Sequence, residues 1–161
     1  MGEIVIIKEI DISDPQVAKE VLSVQIPSYQ VEAELIKSYD IPPLNDTIKS
    51  LQQSGEFFYG YYINEELCGV ISLKINKGIL DIHRLFVHPN HFRKGIAKLL
   101  LEYIQTHLRE FETITVSTGS MNIPAINFYK KSGFTKVKEI MVDGGLSITL
   151  LEKKYKRTHQ P

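Results

Sequence analysis

Residues 79–110 constrain what this chain can fold into more than any other stretch of it. The stretch opens with β-branched and other apolar residues typical of a strand, and then reaches Pro89, which has no N–H to donate to a sheet. From Ile96 onward, apolar residues recur at the spacing of one helix face up to residue 108. We therefore predict a strand over residues 79–88, a short turn, and a long amphipathic helix.

The turn between that strand and that helix, residues 91–97, is small and basic. It lies at the carboxyl end of the strand, where open α/β sheets usually bind their ligands. The start of a helix also exposes unpaired N–H groups and the positive end of the helix dipole, both of which attract phosphate. This turn is thus a candidate site for the diphosphate of a nucleotide-bearing cofactor.

The overall composition predicts one folded domain with no net charge. A chain of 161 residues, 43% of them hydrophobic, fits a single domain over residues 1–155 with a polar tail over 156–161. The 19 basic and 19 acidic side chains cancel, which argues against nucleic acid or an anionic membrane as a partner. No apolar run approaches about 18 residues, no signal peptide is evident, and the single cysteine, Cys68, suits a reducing compartment. We expect a cytoplasmic protein.

The first third of the sequence predicts one strand and several helices. Asp14-Pro15 is an N-cap followed by proline at the first helical position, so a helix opens there. It runs to about Val24, and Ile26-Pro27 is expected to end it. The other elements predicted here are a strand over residues 3–9, a helix over 32–39, and a short helix over 47–53 capped by Asn45 or Asp46.

After residue 56 the pattern changes to β-structure. Three strands joined by tight turns, the last being 79–88, predict an antiparallel meander. The other predicted elements are strands over 57–63, 67–75 and 113–118, a helix over 125–132 that Asn122-Ile123-Pro124 starts with Asn122 as N-cap, and strands over 134–142 and 146–154 joined by Asp143-Gly144-Gly145. The fold class is α/β of the α+β type. We expect a mixed, mostly antiparallel central sheet of about seven strands flanked by helices, with one parallel step across the long helix.

Two motifs in this frame resemble the signatures of the GNAT superfamily of acyl-CoA N-acyltransferases. The first is LFVHP at residues 85–89 followed by RKGIA at 93–97, and the second is NIPAINFYKKSGF at 122–134. Their order and spacing match the family, and the predicted order of elements matches it over essentially the whole chain. Phe92 departs from the pattern, because the family usually carries Gln or Arg at this position. Backbone N–H groups make most of the phosphate contacts at such turns, so we still expect this turn to bind the diphosphate.

The resemblance implies an enzyme that moves an acetyl group from acetyl-CoA to a primary amine of a small molecule or peptide, directly and within a ternary complex. It implies that the pantetheine arm lies along the edge of strand 79–88 and that the turn holds the diphosphate. The implied cofactor-binding residues are Leu85, Phe86, Val87, Arg93, Lys94, Gly95, Ile96, Ala97, Lys98, Asn122, Asn127 and Tyr129. A non-catalytic acyl-CoA-binding or regulatory module on the same fold, and an enzyme using a longer acyl donor, stay open as alternatives.

Three residues are candidates for moving protons. Tyr129 falls on the tyrosine that in the family resembles a general acid for the CoA thiolate, although it could equally pack its helix onto the sheet. Asp81 and His83, two residues apart, would lie on one face of a regular strand and could relay a proton from the amine. The alternatives are that they form a solvated polar face, or that ordered water serves as the base. His83, His88 and His91 straddle a strand end and do not predict a metal site.

The acceptor is expected to bind between the first strand and the meander, since this segment forms much of the acceptor pocket in the resembling family. It contains Tyr29, Glu32, Glu34, Tyr39 and Asp40. Carboxylates and tyrosines would suit a cationic amine, although the exposed side of a helix is the commoner place for glutamate. A homodimer is plausible through an aromatic or terminal strand, and the sequence does not choose the amine.

Overall fold

A computed structural model describes residues 2–142 and 144–155 of the chain. Asp143 of the last predicted turn and the predicted tail over 156–161 lie outside the described residues. The strands are β1 (Val5–Ile10), β2 (Phe57–Ile63), β3 (Glu66–Asn76), β4 (Ile79–Val87), β5 (Thr113–Gly119), β6 (Thr135–Met141) and β7 (Ser147–Lys154). The α-helices are α1 (Pro15–Ile36), α2 (Ile48–Gln52), α3 (Ile96–His107) and α4 (Ile123–Lys131), with short 3-10 turns at Pro42–Asn45 and Pro89–His91.

The strands form one seven-stranded sheet in the order β1-β2-β3-β4-β5-β7-β6. All neighbours are antiparallel except β4 and β5, which are parallel and are joined across α3. The predicted mixed, mostly antiparallel sheet with one parallel step is confirmed. Within the described residues, no helix combines the length and the apolar character needed to cross a membrane.

A β-bulge in β4 divides that strand between the two faces of the sheet. Ser72 of β3 pairs with Arg84, whereas the next residue, Leu73, pairs with Ile82, so His83 is an extra residue in β4. Side chains alternate along a regular strand, and one extra residue reverses the alternation. Ile82 accordingly packs in the core beneath α3, while Phe86 packs in a second core beneath α1. Strand β4 is therefore not regular at His83.

Helix α1 is one continuous helix, so the prediction that Ile26-Pro27 ends it is wrong. A proline inside a helix costs about 3 kcal/mol, because it removes one hydrogen bond and crowds the preceding turn. Residues on both sides of Pro27 offset that cost by covering the sheet, and the buried ones are Ala18, Val21, Val24, Gln25, Tyr29, Ala33 and Ile36. Burial of a whole helix face outweighs the local preference.

The cap predicted for the short helix α2 is also wrong. Thr47, and neither Asn45 nor Asp46, is the N-cap, and it forms a capping box with Ser50. Asp46 instead accepts a hydrogen bond from the Ser50 hydroxyl at 2.8 Å and contacts Arg84 of β4. The side chain of Asp46 therefore serves a tertiary contact between α2 and the sheet.

Arg84 is the centre of a buried polar cluster between α1 and the sheet. Its Nε donates to Glu56 at 2.8 Å and its Nη1 donates to Asp46 and to the side-chain oxygen of the fully buried Gln25. Burial opposes the charge of both carboxylates, but hydrogen bonds and the positive charge of Arg84 outweigh it, so the pKa values of Asp46 and Glu56 lie below their usual range. The cluster ties α1, the start of α2, the start of β2 and strand β4 together.

We expect Arg84→Met to lower the free energy of unfolding at neutral pH by about 3–5 kcal/mol, because two largely buried carboxylates would lose their cation. Denaturant unfolding measures this change. The matched control is Lys136→Met, which breaks the exposed pair of Lys136 with Glu139 and should change nothing measurable. Equal stabilities for the wild type and Arg84→Met would contradict the expectation.

The same substitution should change how stability depends on pH. Because the folded-state pKa values of Asp46 and Glu56 are lowered, their contribution is complete above their unfolded pKa values of about 4 and is lost as pH falls through the folded values. Without Arg84, the two carboxylates would be stabilised by taking up protons. Arg84→Met should therefore lose less stability on acidification than the wild type.

Candidate active site

Two cavities meet at the carboxyl end of β4. The larger has a volume of about 790 Å³ and lies between the second half of β4, the first turns of α3, and α4. The smaller has a volume of about 270 Å³ and lies between the second half of α1, strands β4 and β5, and the loop that follows α1. Leu85, Ala125 and Tyr129 line both, so the two cavities share one junction.

The larger cavity exists because β4 and β5 separate. Their parallel pairing covers only residues 79–82 of β4 and 113–116 of β5. Over residues 85–87, β4 pairs with β3 on one side only, and Leu85, Phe86 and Val87 line the larger cavity on the other. A strand edge of this kind presents free N–H and C=O groups to a ligand that carries amides.

The turn before α3 presents its backbone at the wall of the larger cavity. Arg93 and Gly95 both have positive φ, +65° and +75°, and no side chain caps the helix. The first N–H groups of α3 have no acceptor within the helix. Gly69 of β3 lets the helix start pack closely, because a Cβ there would lie 2.8 Å from Ile96 Cγ2. The result is a set of backbone donors at the wall of the larger cavity.

Most of the residues predicted to hold a cofactor do line this cavity. The lining set contains Leu85, Phe86, Val87, Arg93, Gly95, Ile96, Ala97, Lys98 and Tyr129. Lys94 does not belong to it, and its Nζ lies 3.0 Å from His91 Nδ1. Phe92, the departure from the family pattern, lines the cavity and is 42% exposed. Contact of any of these residues with a cofactor stays a prediction.

Asn122 and Asn127 lie outside the larger cavity. Asn122 is the N-cap of α4, accepting from the N–H of Ala125 at 3.2 Å, and its Nδ2 donates to Glu32 Oε1 at 3.0 Å. Asn127 is exposed on the outer side of α4. The geometry gives neither residue a place beside the cavity, and it gives Asn122 a different partner, a carboxylate of α1.

Sequence reasoning missed several residues that line the larger cavity. Phe128 precedes Tyr129 in the motif, and Lys131 lies about one helical turn after Phe128, so helical spacing could have placed both near the site. Lys153 of β7 donates to Gln105 of α3 at 2.9 Å. No local signal could have found this pair, because β7 and α3 meet only in the folded protein.

Tyr129 is a buried phenol at the junction of the cavities. It is 6% exposed, and its ring lies edge-on to those of Phe128 and Phe134. Within the described residues its hydroxyl makes no hydrogen bond, which is a costly state for a buried polar group and marks it as a partner for a ligand. Burial, and then the negative charge of Glu32, raise the pKa of Tyr129 well above its usual value, so the phenol keeps its proton.

Asp81 and His83 contact each other, but only one of them reaches a cavity. His83 Nε2 lies 3.2 Å from Asp81 Oδ2, and His83 Nδ1 lies 3.8 Å from Glu56 Oε2. The bulge places His83 in the lining of the smaller cavity. Asp81 lines neither cavity, is 47% exposed, and accepts from the Thr115 hydroxyl at 2.7 Å. Their proposed roles as proton relays stay predictions.

Of the five residues considered for an acceptor, three line the smaller cavity: Tyr29, Glu32 and Asp40. Glu34 is exposed on the outer side of α1, and Tyr39 is 69% exposed. Burial raises the pKa of Glu32, and the hydrogen bond from Asn122 offsets only part of that effect. The smaller cavity therefore carries two carboxylates, those of Glu32 and Asp40, on its wall.

Within the described residues, His83, His88 and His91 do not share a site. Glu66, Cys68 and His91 do lie together, with their ligand atoms within 4.8 Å of one another. Burial raises the pKa of the Cys68 thiol, and the amine of Lys94 lies beside His91. A protonated thiol and a neighbouring cation both disfavour a bound metal ion there.

Known proteins resemble this chain in sequence and in fold. UPF0157 protein YqkA of Bacillus subtilis is 41% identical over 141 residues, which are 88% of this chain but 41% of that protein. The spermidine N(1)-acetyltransferase of Thermoplasma acidophilum is 30% identical over 114 residues, 70% of this chain and 68% of that one. The crystal structure of the PaiA N-acetyltransferase of Thermoplasma acidophilum, in complex with coenzyme A, has a TM-score of 0.71 at 24% identity and covers 94% of this chain and 99% of that chain.

The family match covers most of the elements that line the two cavities, with β7 outside it. Residues 19–134 match the acetyltransferase (GNAT) family, from within α1 through β4, α3 and α4. The resemblance carried by the two sequence motifs is thereby confirmed, and so is the fold it implied. The chain belongs to the acetyltransferase (GNAT) family.

Proposed function

We propose that this protein is an N-acetyltransferase that moves an acetyl group from acetyl-CoA to a primary amine of a small molecule or peptide by direct transfer. The observation that carries the proposal is the shared junction of the two cavities at Leu85, Ala125 and Tyr129. A donor in the larger cavity and an acceptor in the smaller one would bring their reactive ends together there. Such positioning alone contributes several kcal/mol to a bimolecular reaction.

The residues of the larger cavity fit coenzyme A. The backbone donors at the start of α3, with Arg93 and Lys98 beside them, suit a diphosphate. The free edge of β4 over residues 85–87 suits the amides of a pantetheine arm, and a volume of about 790 Å³ is in the range of cofactor sites. When bound, acetyl-CoA supplies the activated thioester, and a backbone N–H near Phe86 would polarise its carbonyl.

Tyr129 is the group at the junction that can give a proton to the leaving sulfur. A thiol has an ordinary pKa of about 8.5, so proton transfer from a phenol whose pKa is raised, first by burial and then by the charge of Glu32, is uphill. A cationic acceptor beside Glu32 would offset the smaller contribution, that of Glu32, and leave the effect of burial in place. Occupation of the smaller cavity would therefore favour the acid role by lowering the pKa of Tyr129 in part.

We expect acetyl-CoA to raise the melting temperature. A ligand that binds only the folded state adds about 2.7 kcal/mol at 100 times its Kd. Differential scanning fluorimetry measures the shift, with adenosine as a control that lacks the diphosphate and the pantetheine arm. An unchanged melting temperature at saturating acetyl-CoA would refute the donor assignment.

Turnover is tested by the release of free CoA with spermidine, an aminosugar and a short peptide with a free N-terminus. N-acetylation of at least one amine is expected, with the product identified by mass spectrometry. Tight binding of acetyl-CoA without acetylation of any amine would instead indicate a non-catalytic acyl-CoA-binding module.

We expect Tyr129→Phe to lower kcat about 10²-fold or more, the usual contribution of a general acid, with little change in the melting-temperature shift caused by acetyl-CoA. Because the hydroxyl has no hydrogen-bond partner among the described residues, its removal should not lower stability. Tyr39→Phe is the matched control, since Tyr39 is exposed and outside both cavities. Full activity in Tyr129→Phe would contradict the role of Tyr129 as general acid.

A further inference from the structure

The wall of the smaller cavity carries negative charge. Glu32 and Asp40 both line it. Arg84 lines it too, but its guanidinium already contacts Glu56 and Asp46, so its positive charge is satisfied before any ligand binds. A cavity of this charge attracts a cation and repels an anion.

Glu32 is held toward the junction from two sides. Tyr29, Glu32 and Ile36 lie about one turn apart along α1, so they share a helix face, and all three line the smaller cavity. Asn122 of α4 donates to Oε1 of Glu32 at 3.0 Å. Within the described residues Oε2 makes no hydrogen bond or ion pair, so it is free to accept from a ligand.

We propose that Glu32 is the acceptor-binding base of this enzyme: its carboxylate binds the ammonium group of the substrate beside Tyr129 and takes a proton from it. The inference rests on the proposed function and names its substrate class, a primary amine that is cationic at neutral pH. It assigns the role of base to Glu32 and not to Asp81 or His83.

With Glu32 as base and Tyr129 as acid, every proton and bond in the acetyl transfer is accounted for. Glu32 takes one proton from the ammonium and passes it to solvent, leaving a nitrogen lone pair that forms the C–N bond as the C–S bond breaks. The electron pair of the C–S bond leaves on sulfur, which takes the phenolic proton of Tyr129. The second proton lost by nitrogen restores the phenol, so the products are an amide, a thiol and one released proton.

The two other candidates for the base are placed less well. Asp81 lines neither cavity and already accepts from Thr115. His83 does line the smaller cavity, but its two ring nitrogens face Asp81 and Glu56. Both ring nitrogens of His83 are therefore already directed at carboxylates, whereas Oε2 of Glu32 makes no hydrogen bond or ion pair within the described residues.

The pH dependence expected for Glu32 involves every charged or titratable group that faces it. These are Tyr29 on α1, Asp40 after α1, His83 and Arg84 on β4, and Tyr129 on α4. Burial raises the pKa of Glu32 above its ordinary value, and only its ionised form is a base. Activity should therefore rise with pH through the raised pKa of Glu32.

The test compares Glu32→Gln with Glu34→Gln, using whichever of the three amines the wild type acetylates. Glu34 lies two residues away on the same helix, exposed and outside both cavities, so its variant removes the same charge without touching the site. Glutamine at 32 can still accept the hydrogen bond from Asn122, so the fold is preserved. The readouts are kcat/KM for the amine against pH, and the melting-temperature shift with acetyl-CoA.

Glu32→Gln should lower kcat/KM for the amine about 10²-fold or more and abolish the rise of activity with pH, while the shift with acetyl-CoA and the Glu34→Gln variant stay as in the wild type. Wild-type activity in Glu32→Gln would overturn the inference and leave the proposed function intact. Reduced activity with an unchanged pH profile would overturn the role as base. Acetylation of no amine by the wild type would refute the proposed function, and the inference with it.

Discussion

The short pairing between β4 and β5 is the constraint on which the rest of the site depends. Four residues of each strand are joined at their amino ends, and beyond them the strands separate. A sheet closed along its full length would leave neither a free edge on β4 nor space between α3 and α4. Backbone groups that lose their sheet partner inside a protein need another hydrogen-bond partner, and a bound ligand can provide one. The separation of β4 and β5 therefore creates the site.

The bulge at His83 and the cluster around Arg84 adapt β4 to this opening. The extra residue turns Ile82 toward one core and Phe86 toward the other, so β4 contributes buried side chains to the cores beneath both α3 and α1. Arg84 comes directly after the bulge and gathers Asp46, Glu56 and Gln25 beneath α1. Because Arg84 is paired with Asp46 and Glu56, it does not neutralise the carboxylates of Glu32 and Asp40 on the wall of the smaller cavity. These two carboxylates have no counter-ion among the described residues.

Much of the fold was predictable because its signals are local. The turn before α3 and the capped start of α4 at Asn122 follow from short-range chemistry and are where the sequence placed them. The continuation of α1 through Pro27 was not predictable, because it depends on packing against a sheet formed by distant residues. The bulge at His83 depends on the partner strand, and the contact of Glu32 with Asn122 joins positions 90 residues apart. Local patterns indicated most residues of the larger cavity and three of the smaller one, whereas the contacts that join α1, β4 and α4 around the smaller cavity needed tertiary structure.

The uninterrupted course of α1 past Pro27 has a thermodynamic consequence. Ser28, the residue after the proline, lines the larger cavity, and Tyr29 and Glu32 line the smaller one. One helix therefore lines both cavities, and a displacement of α1 by a ligand in one cavity would also change the wall of the other. If each cavity binds a substrate, linkage requires the coupling free energy to act equally in both directions, so each substrate would change the affinity for the other by the same factor.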